Sequence, residues 1–280
     1  MPGTLYVVAT PIGNLEDVTL RALRILREVS VIAAEDTRRT ARLLQQYSIS
    51  TPTTSLHQHN EGLRTEGLLT RLAAGESVAL VSDAGTPVVS DPGSSLVAAA
   101  HAAGIKVEPV PGPSATLAAL SASGIPAEPF CYLGFPPAKG NARKVWFQDL
   151  TQLPATLILF EAPHRLRRTL EDLRSSLGDR KALVARELTK LHEELSLATF
   201  SEHLASEREP RGEFTIVVEP QQALQAGDLT YDDAQLKAEF EGLVGQGVVP
   251  RAAIRALAQK YDIGARVVYG AVHNSSNESG

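Results

Sequence analysis

Two short stretches concentrate the groups that could do chemistry. In "VALVSDAGTPVVSDPG", Val78 to Gly93, a β-forming apolar run stops at Ser82-Asp83, and two turns rich in Gly and Pro follow, bearing Asp83 and Asp91. In "EDTRRT", Glu35 to Thr40, two more carboxylates stand beside Arg38 and Arg39. The loops "TPIGNLED" and "PGPSA" follow apolar runs in the same way. Gly13, Gly85, Gly93 and Gly112 let backbone approach a ligand closely, and Pro11, Pro87, Pro92, Pro111 and Pro113 stiffen the turns. Asp83, at the strand end, reads as an acceptor for an amine or a ribose hydroxyl. Asp91, in "DPGSS", reads as turn and helix-cap chemistry. No G-x-G-x-x-G follows a strand and no G-x-x-x-x-G-K-[ST] occurs, so the usual dinucleotide and Walker cradles are unsupported. Loops so poor in cations suit an uncharged or cationic ligand better than a polyphosphate.

The elements that must position these loops alternate. Short β-rich runs ("LYVVAT", "VSVIAAE", "TTSLHQH", "SVALVS", "KVEPVP") are separated by helical patterns, one of them placing Leu20, Leu23, Leu26 and Val29 along one side. Such crossovers imply a largely parallel sheet covered on both faces, with ligands bound outside the carboxyl ends of its strands. The small, Pro- and Gly-bearing segment 119–129 reads as a linker, placing a first domain over 1–120. The runs "FCYLGF", "ATLILFE", "KALVARE", "ELSLATF" and "EFTIVVE" have fewer helices between them, predicting a second α/β domain over 121–222 with a mixed sheet. Residues 228–273 read as a helical module bending near Gly264, and the final "NSSNESG" as disordered.

The 280 residues carry a net charge of −5, with 43% hydrophobic and 21% charged residues. That balance allows a sizeable core and argues against gripping naked nucleic acid by charge alone. No run reaches the roughly 20 apolar residues needed to cross a bilayer, and the opening "MPGTLYVVATPIGN" shows no secretion signal. The single cysteine, Cys131, excludes an internal disulfide framework and fits a reducing cytoplasm. His57 and His59 lack a third ligand at suitable spacing, so no metal site is expected. Trp146 and Phe147 read as packing residues.

Eight ordered motifs, "TPIGNLEDVTLRAL", "AAEDTRRT", "LVSDAGTPVVSDPG", "PGPSA", "FCYLGFPP", "FEAPHR", "ARELTK" and "RGEFTIVVE", span about Leu5 to Glu219. Together they resemble the bacterial 16S ribosomal RNA 2′-O-ribose cytidine methyltransferases, members of the tetrapyrrole-methylase-like (class III) superfamily. The resemblance implies S-adenosylmethionine bound in a cleft between two α/β domains, usually in a homodimer. It places Pro11, Ile12, Gly13 and Asn14 along the cleft, with Asp83, Ala84, Gly85 and Thr86 beside the methionine and ribose. Ser114 and Ala115 stand opposite, and Phe160, Ala162 and Leu188 close over the adenine. A sulfonium is repelled by lysine and arginine, and none lies in "TPIGN" or "SDAGTP". The acceptor it implies is a cytidine ribose in the decoding region of the small subunit, with an assembled particle favoured by the negative charge.

Methyl transfer to a hydroxyl needs alignment and removal of one proton. The candidates are Glu35, Asp36, Glu187 and, if burial lowers its pKa, Lys190. Glu187 and Lys190 are preferred as the catalytic pair because a charge cluster directly follows an apolar strand, although a structural salt bridge explains it equally well. Arg38, Arg39 and Arg42 on one helical turn, and Arg165 at the start of another, are the expected RNA contacts. Two other functions compete: methylation of a tetrapyrrole carbon, and non-enzymatic sensing of an adenosine compound. "TPIGNLED" differs from the Gly-rich first loop of the tetrapyrrole enzymes, and the arginines of "EDTRRT" suit a phosphodiester.

Overall fold

Apolar strands alternating with amphipathic helices build the first layer system: β1 (Thr4–Val8), α1 (Leu20–Glu28), β2 (Val31–Ala34), α2 (Thr37–Gln46), β3 (Thr53–Ser55), α3 (Glu61–Ala73), β4 (Val78–Val81), α4 (Ser94–Ala102) and β5 (Lys106–Val110). The strands lie in the order β3-β2-β4-β1-β5, every neighbouring pair parallel. Every residue of β2 and β4 is buried, as a sheet covered on both faces requires. One face packs Ile25, Leu26, Leu43 and Leu44 of α1 and α2; the other packs Leu68, Leu72, Leu96 and Ala100 of α3 and α4. Since the strands run one way, the loops after β1, β2, β4 and β5 all leave the same edge of the sheet.

Helix α1 departs from the expected stripe. Leu20 is 86% exposed, whereas the other three, Leu23, Leu26 and Val29, are buried together with Ala22 and Ile25. Steps of three residues fall about 60° short of a full turn each time. Four leucine-type positions spaced by three therefore sweep round half the helix, and Leu20 ends on the side away from the sheet. Helix α4 is not capped by Asp91 but by Glu61 of α3, whose Oε1 accepts from the backbone N–H groups of Gly93 (3.1 Å) and Ser95 (2.8 Å).

The computed structural model describes residues 1–206, 209–221, 232–261 and 263–273, and the chain divides into two compact units, Met1–Pro220 and Gln221–Gly280. The first unit continues with α5 (Ala115–Ser123), β6 (Phe130–Tyr132), α6 (Gly140–Asp149), β7 (Thr156–Glu161), α7 (Pro163–Leu177), β8 (Lys181–Arg186), β9 (Glu194–Thr199), α8 (Phe200–Ala205) and β10 (Phe214–Val218). Its second sheet runs β6-β7-β10-β8-β9 and is mixed: β6 is parallel to β7, and the other pairs are antiparallel. Ala119 to Ser123, read from composition as linker, are the last turns of α5. Ala119 and Leu120 are buried against Ile158, Leu183, Ala185 and Val217 of this sheet, because small side chains let the helix sit close. The other face carries α6, α7 and α8 through Phe147, Leu166, Leu170 and Phe200. Trp146 meets Phe147 edge-on, with ring centroids 4.9 Å apart. On edge strand β9, Leu195 and Leu197 pair with Ala185 and Leu183 on the α5 side, yet α5 does not reach them and they are 43% and 53% exposed.

The second unit is helical: α9 (Asp233–Gly245), α10 (Pro250–Tyr261) and α11 (Ala265–His273), with Gly264 ahead of α11. Leu236, Leu257, Tyr261, Val268 and Ala271 form its core, and the Tyr261 hydroxyl donates to Glu239 at 2.7 Å. Residues 228–231 of the expected module and the "NSSNESG" tail lie outside the described residues.

Candidate active site

The loops at the carboxyl edge of the first sheet are tied into one wall. Thr10 and Gly85 exchange two backbone hydrogen bonds of 2.9 Å, joining the loop after β1 to the loop after β4. The Thr10 hydroxyl donates to the Ser82 carbonyl (3.3 Å), and the Thr86 hydroxyl donates to the Pro113 carbonyl (3.3 Å), which brings in the loop after β5. Ser114 accepts from Leu117 N–H and caps α5. Facing this wall, the ends of β7 and β10 complete a cavity of about 350 Å³. Ile12, Ala84, Gly85, Thr86, Val89, Ser90, Ser114, Ala115 and Thr116 line one side; Phe135, Phe160 to Pro163 and Gly212 to Thr215 line the other. No lysine or arginine is among them, and two glutamates, Glu161 and Glu213, are.

The segment between β4 and α4 closes one rim under strain. Val88 and Ser90 hold φ of 73° and 69°, in the left-handed region that a β-branched residue rarely enters. The Ser90 hydroxyl lies 2.7 Å from that of Tyr132 on β6, so this rim reaches across to the second sheet.

A second hollow of about 410 Å³ adjoins the first and shares Ile12, Ala84 and Glu213 with it. Its lining is polar: Arg39, Arg42 and Lys190 face it together with Asp83, Pro11 and Gly13. Asp83 Oδ1 accepts from Asp36 N–H at 2.9 Å, and Oδ2 lies 3.2 Å from Arg39 Nη1. Glu35 in turn accepts from Asp83 N–H at 3.4 Å. Burial, followed by the charge of Asp83, pushes the Glu35 carboxyl up. Burial also pushes Asp91 up to about 6, against a hydrogen bond from Ser82 and with added repulsion from Glu35 and Asp83. Asp36 is held well below the carboxylate range by hydrogen bonds from Arg38.

The loop after β8 reaches these hollows through Gly13. A Cβ on Gly13 would lie 2.4 Å from Lys190 Cγ, 2.8 Å from Thr189 Oγ1 and 2.9 Å from the Leu188 carbonyl, so only glycine allows this approach. Lys190 Nζ bridges Glu187 Oε1 and Glu213 Oε2, each at 2.9 Å. Burial works against its charge, but the hydrogen bonds to Glu187 and Glu213 overcome it and hold the ammonium above its usual range. The expectation that burial lowers Lys190 therefore fails, because two carboxylates face it. Burial likewise opposes ionisation of Glu187, but the Lys190 hydrogen bond and Glu213 N–H win and keep its carboxyl low.

Of the residues expected at the cofactor, Ile12, Ala84, Gly85, Thr86, Ser114, Ala115, Phe160 and Ala162 line the first cavity, and Pro11, Gly13 and Asp83 line the second hollow. Asn14 accepts from Glu16 N–H and caps a short 3-10 turn, and Leu188 packs on the apolar cluster beneath α5. Arg39 and Arg42 face the second hollow, while Arg38 is exposed and paired with Asp36 at 2.8 Å. Arg165 is turned inward, to Glu161 at 3.1 Å and to the Pro136 carbonyl, so it does not present an open phosphate contact. Sequence reasoning passed over Ser90, Phe135 and Phe214, and took in Glu161 only as part of the stretch Phe160 to Ala162. Glu161 carried the same signal as Asp83, a carboxylate ending an apolar strand.

Residues 4–203 match the tetrapyrrole (corrin/porphyrin) methylases. A protein of Synechocystis sp. named ribosomal RNA small subunit methyltransferase I is 46% identical over 95% of this chain and 96% of its own length. The chain belongs to the ribosomal RNA small subunit methyltransferase I family. A Xylella fastidiosa member is 53% identical over 78% of this chain and 82% of its own length. Among solved structures, the methyltransferase CobJ superposes with a TM-score of 0.60 at 23% identity, covering 78% of this chain and 94% of its own, which supports the two-sheet fold. Every residue lining the two cavities lies within the matched 4–203 stretch except Gly212 to Thr215.

Proposed function

We propose that the protein transfers a methyl group from S-adenosylmethionine to the ribose 2′-hydroxyl of a cytidine in 16S ribosomal RNA, in the decoding region of the small subunit. The observation that carries this is the pairing of two adjoining hollows of opposite character: one largely apolar and free of cations, the other faced by Arg39, Arg42 and Lys190. The cation-free cavity fits a sulfonium donor, which supplies an electrophilic methyl group. Ile12, Ala84, Gly85, Thr86, Ser114, Ala115, Phe160 and Ala162 would hold it, with Pro11, Gly13 and Asp83 at the shared rim and Asn14 and Leu188 bracing the loops behind. The cationic hollow suits a nucleotide of the RNA. Arg39 and Arg42 would take phosphates, with Arg38 on the exposed turn beside them. Lys190, kept as an ammonium by Glu187 and Glu213, would steady the negative charge growing on the ribose oxygen. The ionised Glu187 would take up the hydroxyl proton as the donor departs as a neutral thioether. Preorganising donor and acceptor in adjoining hollows supplies alignment, worth on the order of 7–11 kcal/mol in favourable cases.

We infer that the enzyme works in the cytoplasm as a homodimer on the assembled small subunit. The exposed leucines of β9 support an association surface, and among the described residues no helix is long and apolar enough to cross a membrane. The deciding experiment supplies donor labelled in the methyl group to undermodified small subunits, free 16S RNA and a tetrapyrrole, followed by nucleoside mass spectrometry. Label on a cytidine ribose is expected. Label on a base or on the tetrapyrrole alone would overturn the reading.

A further inference from the structure

We infer that Arg165 is a positioning residue for the donor cavity, acting through the buried carboxylate of Glu161 and coupled to Arg143 by a shared hydroxyl. This rests on reading the cation-free cavity as the donor's site. Glu161 ends β7, its side chain is fully buried, and it lines that cavity. Its Oε1 accepts from Ala162 N–H at 2.8 Å and lies 3.1 Å from Arg165 Nε. Its Oε2 accepts from the Thr169 hydroxyl at 2.5 Å, and that hydroxyl accepts from Arg143 Nη2 at 2.9 Å. Arg143, only 2% exposed, spends its remaining donors on Asp172 (2.7 Å) and the Pro137 carbonyl (2.9 Å).

The consequence lies in the loop between β6 and α6. Arg165 holds the Pro136 carbonyl and Arg143 holds the next one, Pro137. Between that pair and β6 stands Phe135, 55% exposed, whose ring meets Phe160 at 5.5 Å in the cavity wall. The two arginines fix the backbone beside Phe135, and Glu161 fixes the turn that carries Phe160 and Ala162. Two cations and two carboxylates, Glu161 and Asp172, leave this network neutral, so it needs no outside ion. A guanidinium turned in this way to Glu161 and the Pro136 carbonyl shapes the aromatic wall for a flat ring, with 22% of its side chain left exposed.

Titration calorimetry with S-adenosylmethionine, together with steady-state kinetics on small subunits, tests this. Wild-type protein must first give heat with the donor; its absence would sink the cavity's assignment, a separate failure. Given that heat, Arg165→Ala is expected to raise Kd and KM for the donor about tenfold. It should leave kcat at saturating donor within about twofold and KM for the subunit unchanged, and Arg165→Lys should recover part of the loss. An unchanged donor Kd, or a raised KM for the subunit alone, overturns the inference. If Arg165→Ala fails to fold by circular dichroism, Thr169→Val, which deletes only the shared hydroxyl, carries the same reading: a raised donor KM supports it and an unchanged one sinks it.

Discussion

At the scale of single residues, the site depends on what surrounds each charge. Asp91 shows the sign clearly. Its folded pKa, raised from the ordinary 3.8 to about 6, means that the folded chain prefers the neutral acid. That preference stabilises fully below about 3.8 and is lost as pH rises through about 6. Asp91→Asn, neutral throughout, should therefore match wild type near pH 4 and exceed it by about 1 kcal/mol at pH 8, after discounting for partial exposure. Urea midpoints across that range measure it, and equal midpoints at pH 8 would count against the buried carboxyl. Gly13→Ala acts through space instead. Its Cβ would press on the Leu188 carbonyl, which cannot swing aside, so the loop contact should weaken by about 1–3 kcal/mol, read as a raised donor KM in steady-state kinetics. Asp83 was legible because a carboxylate at a strand end is visible in one dimension. The pairing of Lys190 was not, since Glu213 lies 23 residues away in the chain.

Among the elements, the first sheet was readable almost strand for strand, because crossover connections leave a regular alternation of patterns. Helix α5 was not. Its "ATLAALSAS" has no polar face to mark a period, and only the sheet beneath it explains why small residues are useful there. The start of α4 offers a test. Gly93 holds φ of 119°, and a Cβ there would sit 2.6 Å from Leu80 Cδ2, a side chain only 1% exposed. Gly93→Ala should cost about 2–4 kcal/mol in chemical denaturation, combining backbone strain with overpacking. Glu61→Ala removes only the borrowed cap and should cost about 1 kcal/mol. A Gly93→Ala loss no larger than that of Glu61→Ala would contradict the packing described.

For the whole molecule, a net charge of −5 means that attraction to RNA must be local. If Arg39 and Arg42 meet phosphates in the polar hollow, removing either should lower the slope of log affinity against log salt by about 0.7. Filter-binding with small-subunit RNA from 50 to 300 mM salt, a range chosen on the order of one decade for that slope, would show it, and an unaltered slope would move the RNA elsewhere.

Val88 and Ser90, held at φ of 73° and 69°, have a bearing on timing. Each such conformation stores on the order of 1–3 kcal/mol, released whenever residues 86–92 let go of their neighbours. That stretch should breathe ahead of the sheets it spans, its amides taking up deuterium sooner than those of β4. A small molecule seated against Val89 would slow the uptake there first.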